Sequence, residues 1–231
     1  MEVPVKSSRR TAIILAIVLI AASPAPQSID QLRDAAESGQ HPAQYSLGVA
    51  YRDGIGVAQN PVKAAEWFER AADACYAPAQ DALGVAFETG AGVERNLRVA
   101  ARWYRLAAAQ RDTRGTYHLA IALYEDRAYE DDSVSDARYA GGCKTLKMPD
   151  GGTQGDQLHS SDPRVRAENG FRFMQFAAQS GDRDAQYRVG DAYEHGRGVK
   201  PSPPDAVEWY RKAAAQGQPD AKAGLARLHG G

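Results

Sequence analysis

The sequence predicts an all-α fold, a right-handed α-solenoid of antiparallel helix hairpins with about four repeats between two half-repeats. Three observations predict it. The landmarks of Ala43 to Ala74 return thirty-six residues on: Leu47-Gly48 as Leu83-Gly84, Gly54 and Gly56 as Gly90 and Gly92, Val57 as Val93, Trp67 as Trp103. A further copy runs from Ala185 through Val189-Gly190, Gly196, Gly198 and Trp209 to Ala213-Ala214-Ala215. Within a copy, Ala43, Leu47, Ala50 and Tyr51 recur at three- and four-residue steps and so share one helix face.

The chain opens with Lys6, Arg9 and Arg10, an apolar run from Ala12 to Ala22, and Ser-Pro-Ala-Pro. As a helix the apolar run reaches about 17 Å, short of the roughly 30 Å hydrocarbon core, so residues 1–25 read as an export signal. An uncleaved anchor on residues 11–22 is the alternative, because Pro24 and Pro26 interrupt the small residues a signal peptidase needs. Ser8-Arg9-Arg10 also approaches a twin-arginine signal without its usual continuation. No Cys follows the run, which argues against a lipoprotein. The expected location is therefore periplasmic or secreted, or the inner membrane if the segment stays attached.

Residues 29–40 match the closing half of a repeat and make a cap, with Asp30, Arg33, Asp34 and Glu37 turned outward. Residues 43–76 form the first repeat. Gly48 lacks a side chain and lets a second backbone approach, Gly54 stops the first helix in a left-handed turn, and Asn60-Pro61 caps and starts the second. Trp67, Trp103 and Trp209 follow on the expected buried face. The second repeat, 79–112, keeps the pattern, with Asn96 at the cap, and Ser202-Pro203 holds the matching position in the fourth copy. The third, 115–182, starts with Tyr117, Leu119, Leu123 and Tyr124, but Asp126 and Ala128 replace the glycine pair. Its second helix resumes near Arg164, so residues 130–163 are an insertion, either loosely packed or a contacting arm. Residues 185–220 form the fourth repeat and 221–231 the first helix of a fifth. After each second helix stand Gly39, Cys75, Arg111, Gly181 and Gly217, and the two departures from glycine must strain a left-handed turn or change its type.

The pattern A-x3-L-G-x2-Y-x2-G-x-G-V with W-(F/Y)-x2-A-A resembles the Sel-one-like repeat, a subfamily of tetratricopeptide-type solenoids. The resemblance runs from about Ile29 to the C-terminus and fades in the third copy. It implies a non-catalytic interaction scaffold, commonly an adaptor of bacterial envelope and signalling systems, and it transfers no catalytic residue. A cysteine-rich branch is associated with β-lactam binding, but the paired cysteines of that branch are missing here; a β-lactam- or peptidoglycan-interacting envelope hydrolase is the alternative reading.

Twenty-eight basic and twenty-nine acidic residues leave a net charge of -1, which argues against nucleic acid as a partner. Membrane contact is expected only through an uncleaved N-terminus. The five histidines show no metal-ligand spacing, and Asp150 to Asp156 lacks the alternating acids of a calcium loop, so neither metal nor cofactor is expected. Cys75 and Cys143 are a possible disulfide in an oxidising compartment. Against the bond, Cys75 sits in a turn on one edge of the solenoid, whereas the insertion leaves from the other. Recognition is expected on the first helices, about 140–160° from the buried stripe, in the columns Tyr45/Asp81/Tyr117/Tyr187 and Arg52/Glu88/Tyr124/Glu194. By resemblance these line the concave face and bind another protein or a peptide; the competing reading packs the tyrosines against neighbouring hairpins.

Overall fold

The computed structural model describes residues 28–125, 143 and 162–229. Among these the chain is helical, without a strand: α1 (Ile29–Glu37), α2 (His41–Asp53), α3 (Pro61–Asp73), α4 (Ala77–Thr89), α5 (Leu97–Ala109), α6 (Thr113–Tyr124), α7 (Pro163–Gln179), α8 (Arg183–His195), α9 (Pro203–Ala215) and α10 (Pro219–His229). Successive helices pack on one another, and first helices also meet across repeats, α4 on α6 and α8 on α10. The leader expected at 1–25 and most of the insertion expected at 130–163 lie outside the described residues. Asp162 and Pro163, assigned to that insertion by the repeat spacing, instead cap and open α7.

Local chemistry sets the helix ends. The side chains of Asn60 and Asn96 accept backbone N–H groups of α3 and α5, and Asp112, Asp162 and Asp182 do the same for α6, α7 and α8. Ser202 does not cap α9 as expected, because its hydroxyl donates to the Asp205 carboxylate instead. Gly54, Gly90 and Gly196 end α2, α4 and α8 with φ of 73°, 77° and 69°. The second glycine of the later two pairs has a packing duty besides: a Cβ on Gly92 would overlap the Pro61 carbonyl, and one on Gly198 the Ala167 carbonyl, whereas one on Gly56 would make only ordinary contact with Ile29. Cys75 and Arg111 hold the left-handed turn at φ 64° and 62°, so these positions keep the glycine geometry with a side chain in place.

Between the helices of a hairpin, a missing side chain faces a ring. A Cβ at Gly48, Gly84 or Gly190 would lie 2.6, 2.5 or 2.7 Å from the ring of Phe68, Tyr104 or Tyr210. The sequence expectation of backbone meeting backbone is corrected here, because the aromatic residue following each tryptophan occupies the space. Trp103 is fully buried, but Trp67 and Trp209 are half-buried and lie under Arg70 and Lys212, 4.4 and 4.2 Å from the cations. The alanine pairs Ala71-Ala72, Ala107-Ala108 and Ala177-Ala178 are at most 1% exposed, and their small volume lets the next hairpin close on them.

Polar rungs cross this core. Gln44, Gln80 and Gln186 are buried, and each donates to a carbonyl eight residues earlier, on Ala36, Ala72 and Ala178, at 3.2, 3.2 and 3.1 Å. Gln110 and Gln216 in turn donate to Gln80 and Gln186 at 2.7 and 2.8 Å. Cys143 is bonded to Cys75 with Cα atoms 5.6 Å apart, and it is 3% exposed beside the Gln80 amide. Cys143 thus lies on the same edge as Cys75, next to the Ala72 carbonyl, and the separation that the sequence set against the bond is corrected.

Two outcomes follow for stability. Gly92→Ala should cost more than about 3 kcal/mol by combining left-handed strain with backbone overlap, whereas Gly39→Ala, with open space around its Cβ, should cost about 1 kcal/mol; urea melts compare them. Reduction should lower stability by up to about 4 kcal/mol, the loop-closure value for a separation of 68 residues, and a Cys75→Ser/Cys143→Ser chain should melt alike with and without reductant.

Candidate functional site

The first helices α2, α4, α6, α8 and α10 form one layer, and both expected recognition columns lie in it. Their side chains are less free than a helical wheel suggests. Tyr45 is half-buried with its ring centroid 5.8 Å from Phe68 and from Tyr76, and burial raises its hydroxyl pKa. Asp81 meets the His118 ring nitrogen at 2.5 Å, which fastens α4 to α6. Tyr117 lies beside His118 and under Arg114, 5.5 Å from the guanidinium, and burial raises its pKa too. Tyr187 sits 5.6 Å from Tyr210.

The second column behaves in the same way. Glu88 accepts the Tyr104 hydroxyl at 2.6 Å and Glu194 accepts the Tyr210 hydroxyl, one helix-to-helix bond in each hairpin. Tyr124 donates to the Arg197 carbonyl at 3.2 Å, and its burial pushes the hydroxyl pKa up. Arg52 alone of the eight is open to solvent, gripping Asp53 with two bonds at 2.7 and 2.8 Å. The reason is geometric: a first helix touches its own second helix, the preceding one and the adjacent first helices, so directions 140–160° from the stripe still meet protein.

Three ion pairs at this layer share one sense of charge. Arg114 is 52% exposed over Asp182 at 7%, Arg197 53% over Asp191 at 13%, and Arg227 50% over Glu194 at 12%. Arginine heads thus stand outermost and the carboxylates lie beneath them. Guanidinium forks suit planar anionic groups, and exposed ones keep the freedom to exchange partners. Spacing alone could not reveal Arg114 and Arg227, because their pairing across repeats depends on how neighbouring hairpins stack. The ligand atoms of Asp191, Glu194 and His195 fall within 4.8 Å of one another, but Arg197, Tyr210 and Arg227 already engage the carboxylates. No helix among the described residues is long and apolar enough to cross a membrane.

A family model described as the Sel1 repeat matches residues 41–74, 77–112 and 183–218, leaving the altered third copy unmatched. No curated protein matches the chain. Among solved structures, the chain is similar to a Sel1 repeat protein from Oxalobacter formigenes, with TM-score 0.60 and 24% identity over 81% of this chain and 63% of that one. It is also similar to a protective antigen of uropathogenic Escherichia coli, with TM-score 0.44 and 26% identity over 87% of this chain and 51% of that one. For an immunity protein from Pseudomonas aeruginosa the values are TM-score 0.48 and 18% identity, over 89% and 70%. The chain thus spans less than two thirds of the first two structures, and the likeness to the Oxalobacter formigenes protein shows the fold.

The Glu194 cluster has a pH signature. The Arg227 bond, joined by the Tyr210 hydroxyl, holds the Glu194 pKa below the ordinary carboxylate value. A carboxylate depressed in the folded state adds stability above its unfolded value of about 4.3, and that stability is lost as pH falls through the lower folded value. Glu194→Gln should therefore be less stable by about 1 kcal/mol at pH 7 and equal to the parent near pH 2, as read by denaturation across that range.

Proposed function

The chain is built on Sel1 repeats, and from that premise we propose that it is a non-catalytic scaffold of the bacterial envelope that binds a protein or peptide along its first-helix layer. Sel1 repeats in general mediate contact between proteins. The observation that carries the finer reading is the arrangement of Arg114, Arg197 and Arg227, each about half exposed above a carboxylate of which little reaches solvent. Such a surface favours a partner segment with acidic side chains, because each pair turns the positive end of its dipole and its spare N–H donors outward.

Work outside the cytoplasm is part of the proposal. It is supported by the basic-then-apolar N-terminal sequence and by the bonded pair Cys75–Cys143, which an oxidising compartment would maintain. The eight residues of the expected groove take a smaller part than spacing suggested. Arg52 remains a contact residue, while Tyr45, Asp81, Glu88, Tyr117, Tyr124, Tyr187 and Glu194 shape the layer and hold it together.

The test is capture of partners from an envelope extract by the folded chain. Arg52→Glu/Arg114→Gln changes the first-helix layer, and Arg172→Glu/Arg211→Glu changes exposed positions on α7 and α9 as a control. Capture should fall at least about fivefold for the first pair and stay unchanged for the second. The reverse pattern would move docking to the second helices, and no specific capture by the parent chain would reject the scaffold reading.

A further inference from the structure

In the hairpins α4/α5 and α8/α9 one tyrosine fills the seam between first helices. Tyr104 lies against Gly84, bonds Glu88 and sits 5.0 Å from His118 of α6. Tyr210 lies against Gly190, bonds Glu194 and touches Gly224 of α10. Counting along the repeat to the third hairpin, Met174 stands where Tyr104 stands, Ala120 where Gly84, Tyr124 where Glu88 and Arg188 where His118. The ring and its acceptor are both exchanged, and a flexible thioether takes the ring's place.

The space left is visible. A cavity of about 100 Å³ lies between α6, α7 and α8, and Met174, Tyr124 and Arg188 line it together with Ile121, Asp191 and Arg197. Its floor is apolar, with Met174 fully buried, and the lining Ala192 is 2% exposed. At the lip Glu125 and Arg188 are exposed and Arg197 is tied to Asp191. A volume of this order suits one aromatic ring, since an apolar cavity of about 150 Å³ takes benzene. Methionine sulfur also makes favourable contacts at ring edges.

We infer that this cavity is an anchor site for a phenylalanine or tyrosine side chain of the partner, with an acidic residue beside that ring meeting Arg188. The partner's ring completes in the third hairpin the seam that Tyr104 and Tyr210 complete in its neighbours. The charge sense agrees, because arginines stand outermost along the same layer. This inference deepens the scaffold reading and rests on it.

Three fluorescein-labelled peptides test it by anisotropy against the full chain: Ser-Gly-Phe-Asp-Asp-Gly, the same with Ala for Phe, and the same with Lys for both Asp. Two variants accompany them, Arg188→Glu and Ala120→Gly/Met174→Tyr, the second rebuilding the pairing of Gly84 with Tyr104. The first peptide should bind the parent saturably, with affinity reduced about tenfold or more by loss of the ring, by the rebuilt pairing and by the lysines, and about threefold to tenfold by Arg188→Glu. Equal affinity for the Phe and Ala peptides, unchanged affinity in the rebuilt chain, or no saturable binding by the parent up to about 1 mM would overturn the inference. The peptide series reads the cavity on the unmodified chain even if the rebuilt variant misfolds. Undiminished capture of an envelope partner by Arg188→Glu, with failed peptides, would remove the anchor site and leave the scaffold standing.

Discussion

The structure depends on a trade of volume between paired positions. Where a first helix gives up its side chain, at Gly48, Gly84 or Gly190, the second helix brings Phe68, Tyr104 or Tyr210 to the same place. Each ring gains close contact on a surface that any Cβ would spoil, so the separation of the two helices is set by one pair of residues. The alanine pairs on the second helices play the matching part toward the next hairpin. A solenoid built this way has no central globule. Its interior is a chain of apolar clusters, one running from α3 to α6 and another from α6 to α9, each shared by adjoining repeats.

Polar contacts do a different job. Hydrophobic contact resists separation but tolerates sliding, whereas the buried glutamines at Gln44, Gln80 and Gln186 reach fixed carbonyls and so define the register of one hairpin on the last. The ion pairs of the first-helix layer add little stability where their arginines are half exposed. Their more consequential effect is on what the layer shows to solvent, since the acids are held low and the guanidinium groups high.

How far the sequence could be read depended on whether a feature was local. The repeat, the glycine stops and the capping residues were legible because each is decided within one or two turns of helix, and the Ser202 cap failed only because Asp205 offered its hydroxyl another partner. Side-chain exposure was harder. A helical wheel knows one helix, and the directions assigned to Tyr45, Tyr117 and Tyr187 are covered by neighbours that only stacking supplies. Trp67 and Trp209 depart from the expected buried face for a related reason, because the next residue along, Phe68 or Tyr210, fills the seam, while Trp103 is buried as its spacing predicts. The glutamine rungs carried a signal that was passed over: an amide repeated on the otherwise apolar stripe, as Ala43-Gln44, Ala79-Gln80 and Ala185-Gln186.

The bond between Cys75 and Cys143 bears on how the array behaves as a cooperative system. Helical arrays held by nearest-neighbour contacts can fray from either end, one module at a time, because nothing distant senses the loss. A covalent link from the turn after α3 to a residue beyond α6 breaks that independence: α4, α5 and α6 lie within the closed loop, and their opening is correlated. With the link in place, the centre of this chain acts as a single unit and the flanking helices as looser ends; without it, every hairpin answers only to its neighbours.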